Sequence, residues 1–217
     1  MIGLTWDFEL SLSPNGDAVV VGIDEAGRGP LAGPVVASAV VFPSSFKATS
    51  DIPLNDSKKL SEKEREGLFE FIISESSAFG IGIVSPKEID ELNILAATMR
   101  AMTIAVRQIE LTASLDIQKD MLIVDGNYFR TELPYKYKTI VEGDGLCPSI
   151  AAASILAKVT RDRMMKELDT VYPDYGFASH KGYATKAHRD AIIKHGYCPE
   201  HRRSFKLKSL EQIEIFS

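Results

Sequence analysis

The sequence has few of the features that small secreted proteins or membrane proteins depend on. Its 217 residues include two cysteines, Cys147 and Cys198, whose spacing fits neither a metal pair nor a redox pair. The longest nearly apolar stretches, 35–42 and 150–157, span about eight residues, far below the ~18–20 of a transmembrane helix. The first ten residues carry two acidic side chains and lack the basic start of a secretory signal. We therefore predict a cytoplasmic protein with reduced thiols and no membrane segment.

Repeats, low-complexity tracts and linkers rich in Gly, Ser or Pro are also absent. A chain of this length corresponds to one domain or two small ones, and folding buries roughly 70% of its unfolded surface. With 45% apolar residues, a stable core needs no disulfide or zinc. We predict a single domain over residues 1–217, with a core of sheet and helices at about 18–145 and a basic helical segment at about 148–208.

The net charge of −5 hides an uneven distribution along the chain. Residues 1–150 carry 13 basic and 22 acidic side chains, whereas residues 151–208 carry 12 basic and 6 acidic side chains and all four histidines. A basic C-terminal third beside an acidic front suits an anionic polymer on one face and a metal among carboxylates on another. A merely solvated helical surface would give the same pattern.

The order of the predicted elements indicates an α/β fold. Runs of β-branched and apolar residues predict five strands: 18–23, 35–42, 79–84, 121–124 and 137–141. Capping motifs and small-residue patterns predict four helices: about 61–77, 85–111, 148–169 and 185–196. We therefore predict an α/β sheet with a helical C-terminal extension.

Acidic side chains follow three of the predicted strands. Asp24 and Glu25 end the first strand, Asp125 ends the fourth, and Asp144 follows the fifth. If these strands are neighbours in one sheet, their ends lie ~5 Å apart per strand and the carboxylates share one site. Oxygen ligands select hard ions such as Mg²⁺ or Mn²⁺, and two such ions suit phosphodiester hydrolysis.

Each acid taken alone also fits a structural role. The adjacent Asp24 and Glu25 would point to opposite faces of the sheet, and the dipeptides Asp125-Gly126 and Gly143-Asp144 are common in turns. Their coincidence at three strand ends favours one shared site.

Two further motifs point to other chemistry. Gly27-x-Gly29-x-x-Ala32 fits the loose dinucleotide-binding fingerprint, but a strand rather than a helix is predicted to follow it, and the neighbouring acids would repel a pyrophosphate. His195-x-x-Cys198-x-x-His201 has zinc-type side chains in a spacing that fits no common zinc site. The alternatives to a metal-dependent nuclease are therefore a dinucleotide-dependent enzyme and a non-catalytic nucleic-acid-binding module.

The clearest motif is the segment 22–36, which reads GIDEAGRGPLAGPVV. It closely resembles the signature of the ribonuclease HII family, the bacterial type 2 ribonucleases H. Similar blocks follow in the family's order at 56–61, 92–95, 124–127, 143–144, 152–162, 175–177 and 180–183. The resemblance covers roughly residues 18–205. The related type 3 enzymes carry an extra N-terminal domain, so the short segment before Ala18 favours type 2.

The resemblance implies a ribonuclease H-like mixed sheet flanked by helices, with a helical C-terminal extension. It implies that the catalytic and metal-binding residues are Asp24, Glu25, Asp125 and Asp144, with two ions of Mn²⁺ or Mg²⁺ as cofactors. Spacing alone does not exclude Asp162 or Glu142 as the fourth ligand. Asp162 lies in a predicted helix beside two arginines, which favours a paired acid.

The resemblance also places residues against the substrate. Gly27, Arg28 and Gly29 would contact the ribose 2′-hydroxyl and the scissile phosphate, since glycine lets the backbone approach a sugar and Arg28 offers a planar donor fork. Tyr183 would pack on the deoxyribose that follows the ribonucleotide, although an exposed tyrosine is also a common surface residue. The candidate phosphate contacts are Lys58, Lys59, Ser154 and Lys158; simple solvent exposure or helix packing would explain each of them as well.

The resemblance thus implies a metal-dependent endoribonuclease acting on RNA–DNA hybrids and on DNA duplexes with an embedded ribonucleotide. Cleavage on the 5′ side of the ribonucleotide should leave 3′-hydroxyl and 5′-phosphate ends, because water attacks phosphorus directly and the 2′-hydroxyl is not the nucleophile. We predict that the protein acts as a monomer in the cytoplasm.

Overall fold

A five-stranded mixed sheet forms the centre of the computed structural model, which describes residues 4–49 and 60–205. The strands are β1 (Val20–Ala26), β2 (Val35–Val41), β3 (Ala78–Val84), β4 (Met121–Asp125) and β5 (Lys136–Ile140). Their order is β3-β2-β1-β4-β5; β2 is antiparallel to both neighbours, while β1, β4 and β5 are parallel. The mixed sheet predicted from the sequence is confirmed, and the carboxyl ends of the three parallel strands share one edge.

Helices cover the sheet and extend beyond it at the C-terminal end. In the described ranges they are α1 (Asp7–Leu12), α2 (Ser44–Thr49), α3 (Glu62–Glu75), α4 (Pro86–Leu92), α5 (Ile94–Thr112), α6 (Pro148–Val171), α7 (Phe177–His180) and α8 (Lys186–His195). None of these helices is both long and apolar enough to span a lipid bilayer.

Helices α5 and α6 pack on opposite faces of the sheet. Val21 and Ile23 of β1 belong to the cluster on the α5 side, whereas Val20 packs with Ile150 of α6. Since successive strand residues point to opposite faces, Asp24 continues the α6 side of β1. Coverage of both faces explains why β1 and β2 are nearly continuous apolar runs.

The contact between α6 and β1 is unusually close. A Cβ atom on Gly22 would overlap the backbone of Ser149, so only glycine fits at this position of the strand. Buried alanines at 151–153 keep the facing surface of α6 equally thin. The close approach brings Ser154 of α6 next to the carboxyl end of β1.

The chain from Ser85 to Thr112 forms two helices where the sequence predicts one. The capping box at Ser85 is present, as is the one at Ser61. However, Asn93 ends α4 with φ 72°, and its side chain accepts hydrogen bonds from the N–H groups of Leu95 and Ala96. Asparagine tolerates positive φ and is a strong N-cap, so one residue ends α4 and begins α5.

Sequence patterns do not predict α1, which is held by a buried carboxylate. Glu9 is 1% exposed and accepts hydrogen bonds from the backbone N–H and the hydroxyl of Ser149, both at 2.8 Å. Ser149 lies in the first turn of α6, where free N–H groups and the helix dipole favour a negative charge. Glu9 therefore ties the N-terminal segment to the start of α6.

The helical segment after α6 packs against the loop between β1 and β2. Tyr175, Phe177 and Ile192 form a buried cluster with Leu31 and Ala32 of that loop. The predicted helical C-terminal extension is therefore present, and it covers one side of the loop.

A chain of hydrogen bonds runs through two buried histidines in this cluster. The N–H of Cys198 donates to His201 Nδ1 at 2.9 Å, the Nε2 atoms of His201 and His188 are 3.1 Å apart, and His188 Nδ1 lies 3.0 Å from the carbonyl oxygen of Tyr183. The chain is complete when both rings are neutral, with His201 donating from Nε2 and His188 from Nδ1. Burial lowers the pKa of His188, and burial together with the neighbouring His188 lowers the pKa of His201 to about 4.

We expect acid to break this chain and destabilise the fold. Because the folded-state pKa of His201 is lowered, its contribution to the free energy of unfolding is complete above its ordinary pKa and is lost as the pH falls towards 4. The loss should approach about 3 kcal/mol. Urea unfolding of the wild type and His201→Gln between pH 7 and pH 4 measures it: the stability difference should shrink with acid, and a constant difference would contradict the prediction.

Candidate active site

Asp24 and Asp125 lie side by side at the carboxyl edge of the sheet. In the parallel pairing of β1 with β4, Ile23 lies opposite Val124, so the next residue of each strand is an acid. Asp24 is buried at 5% exposure, while the adjacent Glu25 and Asp125 are partly buried. The strand register thus brings three carboxylates to one place.

Asp144 reaches the same edge through a short turn. After β5 ends at Ile140, the chain turns through Glu142, which has φ 56°. The N–H of the next residue, Gly143, donates to the Asp125 carboxylate at 2.7 Å. Asp144 is buried in the 3₁₀ turn that begins there, adjacent in the chain to the group that binds Asp125.

The carboxylates repel one another in a partly desolvated site. Burial, together with the negative charges of Glu25 and Asp125, raises the pKa of Asp24 well above its ordinary value, and a hydrogen bond from Ser154 opposes this shift. Burial also raises the pKa of Glu25, while Arg28, whose Nη1 is 3.2 Å from Glu25 Oε1, opposes this shift. Ionising these acids together costs free energy that a bound cation would remove.

The chemistry of this donor set fits a hard divalent cation. Carboxylate oxygens are the ligands that Mg²⁺ and Mn²⁺ prefer, and the pKa values of Asp24 and Glu25 are raised by burial, with the negative charge of Asp125 adding to both shifts. In the described part of the chain, no three acid, imidazole or thiol side chains already form a complete ligand group. The fit therefore depends on the type and the charge of the side chains.

A cleft of about 400 Å³ opens beside the acidic edge. It is lined by Glu25, Ala26, Gly27, Arg65, Ser154, Lys158, Arg161 and Tyr183. The lining combines one acid with three basic side chains, a tyrosine and a hydroxyl. Such a surface has the donors that a phosphodiester backbone needs, directly beside the carboxylates.

The segment 27–34, which we call the β1–β2 loop, forms one wall of this cleft. Gly27 has φ 97°, and a Cβ atom there would overlap the side chain of Arg161, so this position requires glycine. Arg28 and Gly29 are exposed. The loop therefore presents two of its predicted substrate-binding residues to solvent while Gly27 is packed on α6.

Tyr183 lies beside this loop, next to Gly29. Its side chain is 47% exposed, and a Cβ atom added to Gly29 would lie 3.7 Å from the tyrosine ring. The backbone of Tyr183 is fixed by the hydrogen bond that its N–H donates to the carbonyl of His180 and by the contact of its carbonyl with His188. Gly29 and Tyr183 are thus exposed close neighbours, and we refer to them as the Gly29–Tyr183 pair.

The other predicted residues fall in different surroundings. Ser154 binds the Asp24 carboxylate and also lines the cleft. Lys158 lines the cleft and pairs with Asp162 at 2.8 Å, so Asp162 is a paired acid as predicted, although it is buried. Glu142 is exposed. Lys58 and Lys59 lie outside the described residues.

Sequence reasoning missed three arginines that shape the cleft: Arg65, Arg161 and Arg202. Arg65 and Arg161 line it, and Arg202 is buried behind the β1–β2 loop with its guanidinium on the carbonyls of Gly27 and Arg28. The partners of Arg161 and Arg202 lie 20 or more residues away, so no local pattern reveals them; the signal for these two is arginine at positions that the apolar pattern would bury. Arg65 is only partly buried and donates to the nearby carbonyl of Leu60.

The two motifs that suggested other chemistry have structural explanations. The glycine-rich segment 27–32 leads into the strand β2, whereas a dinucleotide-binding fingerprint requires a helix there. In the second motif, the ring of His201 contacts Cys198, with Nδ1 and Sγ 3.1 Å apart, while His195 lies 4.0 Å from Asp174.

Comparison with known proteins identifies a family for this chain. The family model described as Ribonuclease HII matches residues 21–208. A Ribonuclease HII of Pelodictyon phaeoclathratiforme is 54% identical over 195 residues, which is 89% of this chain and 92% of the relative. The solved ribonuclease H2 of Pyrococcus horikoshii OT3 is 27% identical with a TM-score of 0.68, over 91% of this chain and 98% of that one.

A more distant structure shares the fold. Bst-RNase HIII, solved in complex with Mn²⁺, is 16% identical with a TM-score of 0.65, over 95% of this chain and 72% of its own.

The family model and the relative from Pelodictyon phaeoclathratiforme both cover most of the sequence. The chain therefore belongs to the ribonuclease HII family, whose members are endonucleases that cut RNA paired with DNA.

Proposed function

We propose that this protein is a metal-dependent endoribonuclease that cuts the RNA strand of RNA–DNA hybrids and cuts 5′ to single ribonucleotides embedded in duplex DNA. The observation that carries the proposal is the acidic edge formed by β1, β4 and β5 beside a cleft lined with basic side chains. We retain as part of this proposal a single catalytic domain over residues 1–217, a monomer and a cytoplasmic location.

The residues proposed to hold the metal ions and to be catalytic are Asp24, Glu25, Asp125 and Asp144. Two ions of Mg²⁺ or Mn²⁺ would activate the attacking water and stabilise the leaving oxygen. The protein's own contribution is to hold the acids in place. Ser154 binds Asp24, and the N–H of Gly143 binds Asp125, so two of the carboxylates are oriented by hydrogen bonds.

The cleft residues are proposed to hold and read the substrate. Lys158 contacts a phosphate of the bound strand, and the exposed guanidinium of Arg28 binds the scissile phosphate. Backbone groups of Gly27 and Gly29 contact the 2′-hydroxyl, since neither residue has a side chain to keep the sugar away. The ring of Tyr183 packs on the following deoxyribose, where a second 2′-hydroxyl would collide with it.

A cleavage gel with a uniform RNA–DNA hybrid and a duplex holding one ribonucleotide tests the proposal. Cutting should require Mg²⁺ or Mn²⁺, occur on the 5′ side of the ribonucleotide and leave 3′-hydroxyl and 5′-phosphate ends. Binding without cutting would instead indicate a nucleic-acid-binding module. Products with 2′,3′-cyclic ends would show that the 2′-hydroxyl is the nucleophile and would refute the proposed mechanism.

Asp125→Asn should abolish cleavage without weakening the fold. We expect a loss of ~10²–10³-fold or more in kcat, because a charged group that acts in the transition state is removed. In EDTA the variant should melt at the wild-type temperature or above it, because repulsion of Asp24 and Glu25 is relieved while the amide oxygen still accepts from Gly143. Glu142→Gln is the matched control and should cut normally. An inactive variant that is also unfolded would count against the assignment.

Lysines of the basic segment should contribute to the salt dependence of binding. Lys158→Ala and Lys181→Ala should each flatten the slope of log affinity against log salt by roughly one unit for every phosphate that the lysine neutralises. Binding to a hybrid is measured in EDTA to prevent cutting. Lys119→Ala is the control, since this exposed lysine precedes β4 at the opposite edge of the sheet. An unchanged slope would show that neither lysine contacts a phosphate.

The Gly29–Tyr183 pair should control the choice of substrate. Gly29 lies outside the positive-φ region and a Cβ atom fits at 3.7 Å from the Tyr183 ring, so Gly29→Ala should fold normally yet cut an embedded ribonucleotide much less. Tyr183→Ala should lose ~1–3 kcal/mol of packing and reduce the preference for the RNA–DNA junction, whereas Tyr183→Phe should be mild. Rates on both substrates are compared; an equal loss on both would contradict the assigned role.

A further inference from the structure

Two buried arginines lie behind the β1–β2 loop, and each is 1% exposed. Arg202 donates to the carbonyl oxygens of Gly27, Arg28, Gly33 and Pro34, at 2.6–3.1 Å. Arg161 donates to those of Ala32, Pro34 and Lys181, at 2.9–3.0 Å. Among the described residues, neither guanidinium forms a salt bridge with a carboxylate. Both guanidinium groups therefore direct their hydrogen bonds to backbone carbonyls.

Burying these two guanidinium groups costs free energy. Burial, with the nearby positive charge of Arg161, lowers the pKa of Arg202 to about 9, and burial lowers the pKa of Arg161. Two like charges have been taken out of water and placed close together, which a fold needing only apolar packing would not require. The directions of the carbonyls that they bind indicate the role of the two arginines.

Arg202 fixes two peptide groups at the tip of the loop. In a trans peptide the C=O and the following N–H point in opposite directions, and no described peptide bond is cis. The carbonyls of Gly27 and Arg28 point inward to Arg202, so the N–H groups of Arg28 and Gly29 point away from it. Both of these residues are exposed, so the two N–H groups face the outer side of the loop.

We propose that Arg202 is a positioning residue for recognition of the substrate sugar: by holding the carbonyls of Gly27 and Arg28, it aims the N–H groups of Arg28 and Gly29 at the ribonucleotide. This inference rests on the proposed function and adds a specificity determinant that does not itself touch the substrate. Lysine cannot replace arginine here, because one ammonium group cannot reproduce a planar fork that reaches four carbonyls.

Arg161 extends the same support to the segment that carries Tyr183. Its guanidinium joins the loop, through Ala32 and Pro34, to the carbonyl of Lys181. A second tie is the hydrogen bond from the N–H of Leu31 to the carbonyl of Gly182. The loop and the segment that carries Tyr183 are therefore held as one unit, and Arg202 sets the orientation at the loop's tip.

The experiment compares Arg202→Lys with the matched control Arg203→Lys. Arg203 is the next residue, is exposed, and stacks on the Tyr197 ring at 4.7 Å. For Arg202→Lys we expect kcat/KM on a single embedded ribonucleotide to fall by roughly tenfold to a hundredfold. On a uniform hybrid it should fall several times less, because a displaced N–H group can still meet the 2′-hydroxyl of a neighbouring nucleotide there, whereas the single ribonucleotide offers only one. The ratio of the two values does not depend on the fraction of folded enzyme.

Two measurements without substrate separate loop positioning from general damage. Hydrogen exchange of peptides covering 27–34 should accelerate in Arg202→Lys and not in Arg203→Lys, while peptides of β4 exchange as in the wild type. Titration with Mn²⁺ alone should give the wild-type affinity, because the acidic edge is held by the sheet.

Each outcome supports or refutes the positioning role of Arg202. An unchanged exchange rate in the loop, or an equal loss of kcat/KM on both substrates, would overturn the positioning role. If the wild type itself failed to cut the embedded ribonucleotide, the proposed function and the specificity role would both fall. The exchange data would then still show whether Arg202 holds the loop, so the two failures are distinguishable.

Discussion

The parallel register that pairs Ile23 with Val124 is the constraint on which the acidic edge depends. It makes Asp24 and Asp125 neighbours, and the pairing of β4 with β5 brings the turn with Asp144 to the same edge. A slip of one residue would reverse the faces of β1, moving Asp24 away from Ser154 on α6 and placing apolar residues against the wrong helix. The apolar core that specifies the fold therefore also specifies the site.

The acidic edge is destabilised by its own charges in the absence of a cation. The pKa values of Asp24 and Glu25 are raised by burial, and the neighbouring Asp125 adds to both shifts. Ser154, Arg28 and the N–H of Gly143 compensate only in part. The sheet faces covered by α5 and α6, and the contact of Glu9 with the start of α6, supply stability elsewhere. Such local conflict is expected where a protein is built to bind something that the polypeptide alone lacks.

The features that the sequence predicts are those encoded locally. Strands, capping boxes and acids at strand ends occupy a few consecutive residues each, and the structure reproduces them. Asn93 was missed because an asparagine that both ends and begins a helix interrupts no apolar pattern. Ser154 was assigned to phosphate from a family resemblance, whereas the structure also bonds it to Asp24. Arg161 and Arg202 were missed because the carbonyls they bind lie more than a hundred residues away for all but Lys181.

Different residues hold the carboxylates and the β1–β2 loop with Tyr183 in place. The register of the strands positions the carboxylates, and the apolar core on both faces of the sheet fixes that register. The β1–β2 loop and Tyr183 depend instead on Arg161 of α6 and on residues 198–202, through His201 and Arg202 and their hydrogen bonds. The two parts of the site meet at the ion pair of Arg28 with Glu25, whose atoms are 3.2 Å apart. A substitution of Arg202 can therefore shift the proposed sugar-binding loop while Asp24 and Asp125 stay in place, because no hydrogen bond of Arg202 reaches the carboxylates in the described part of the chain.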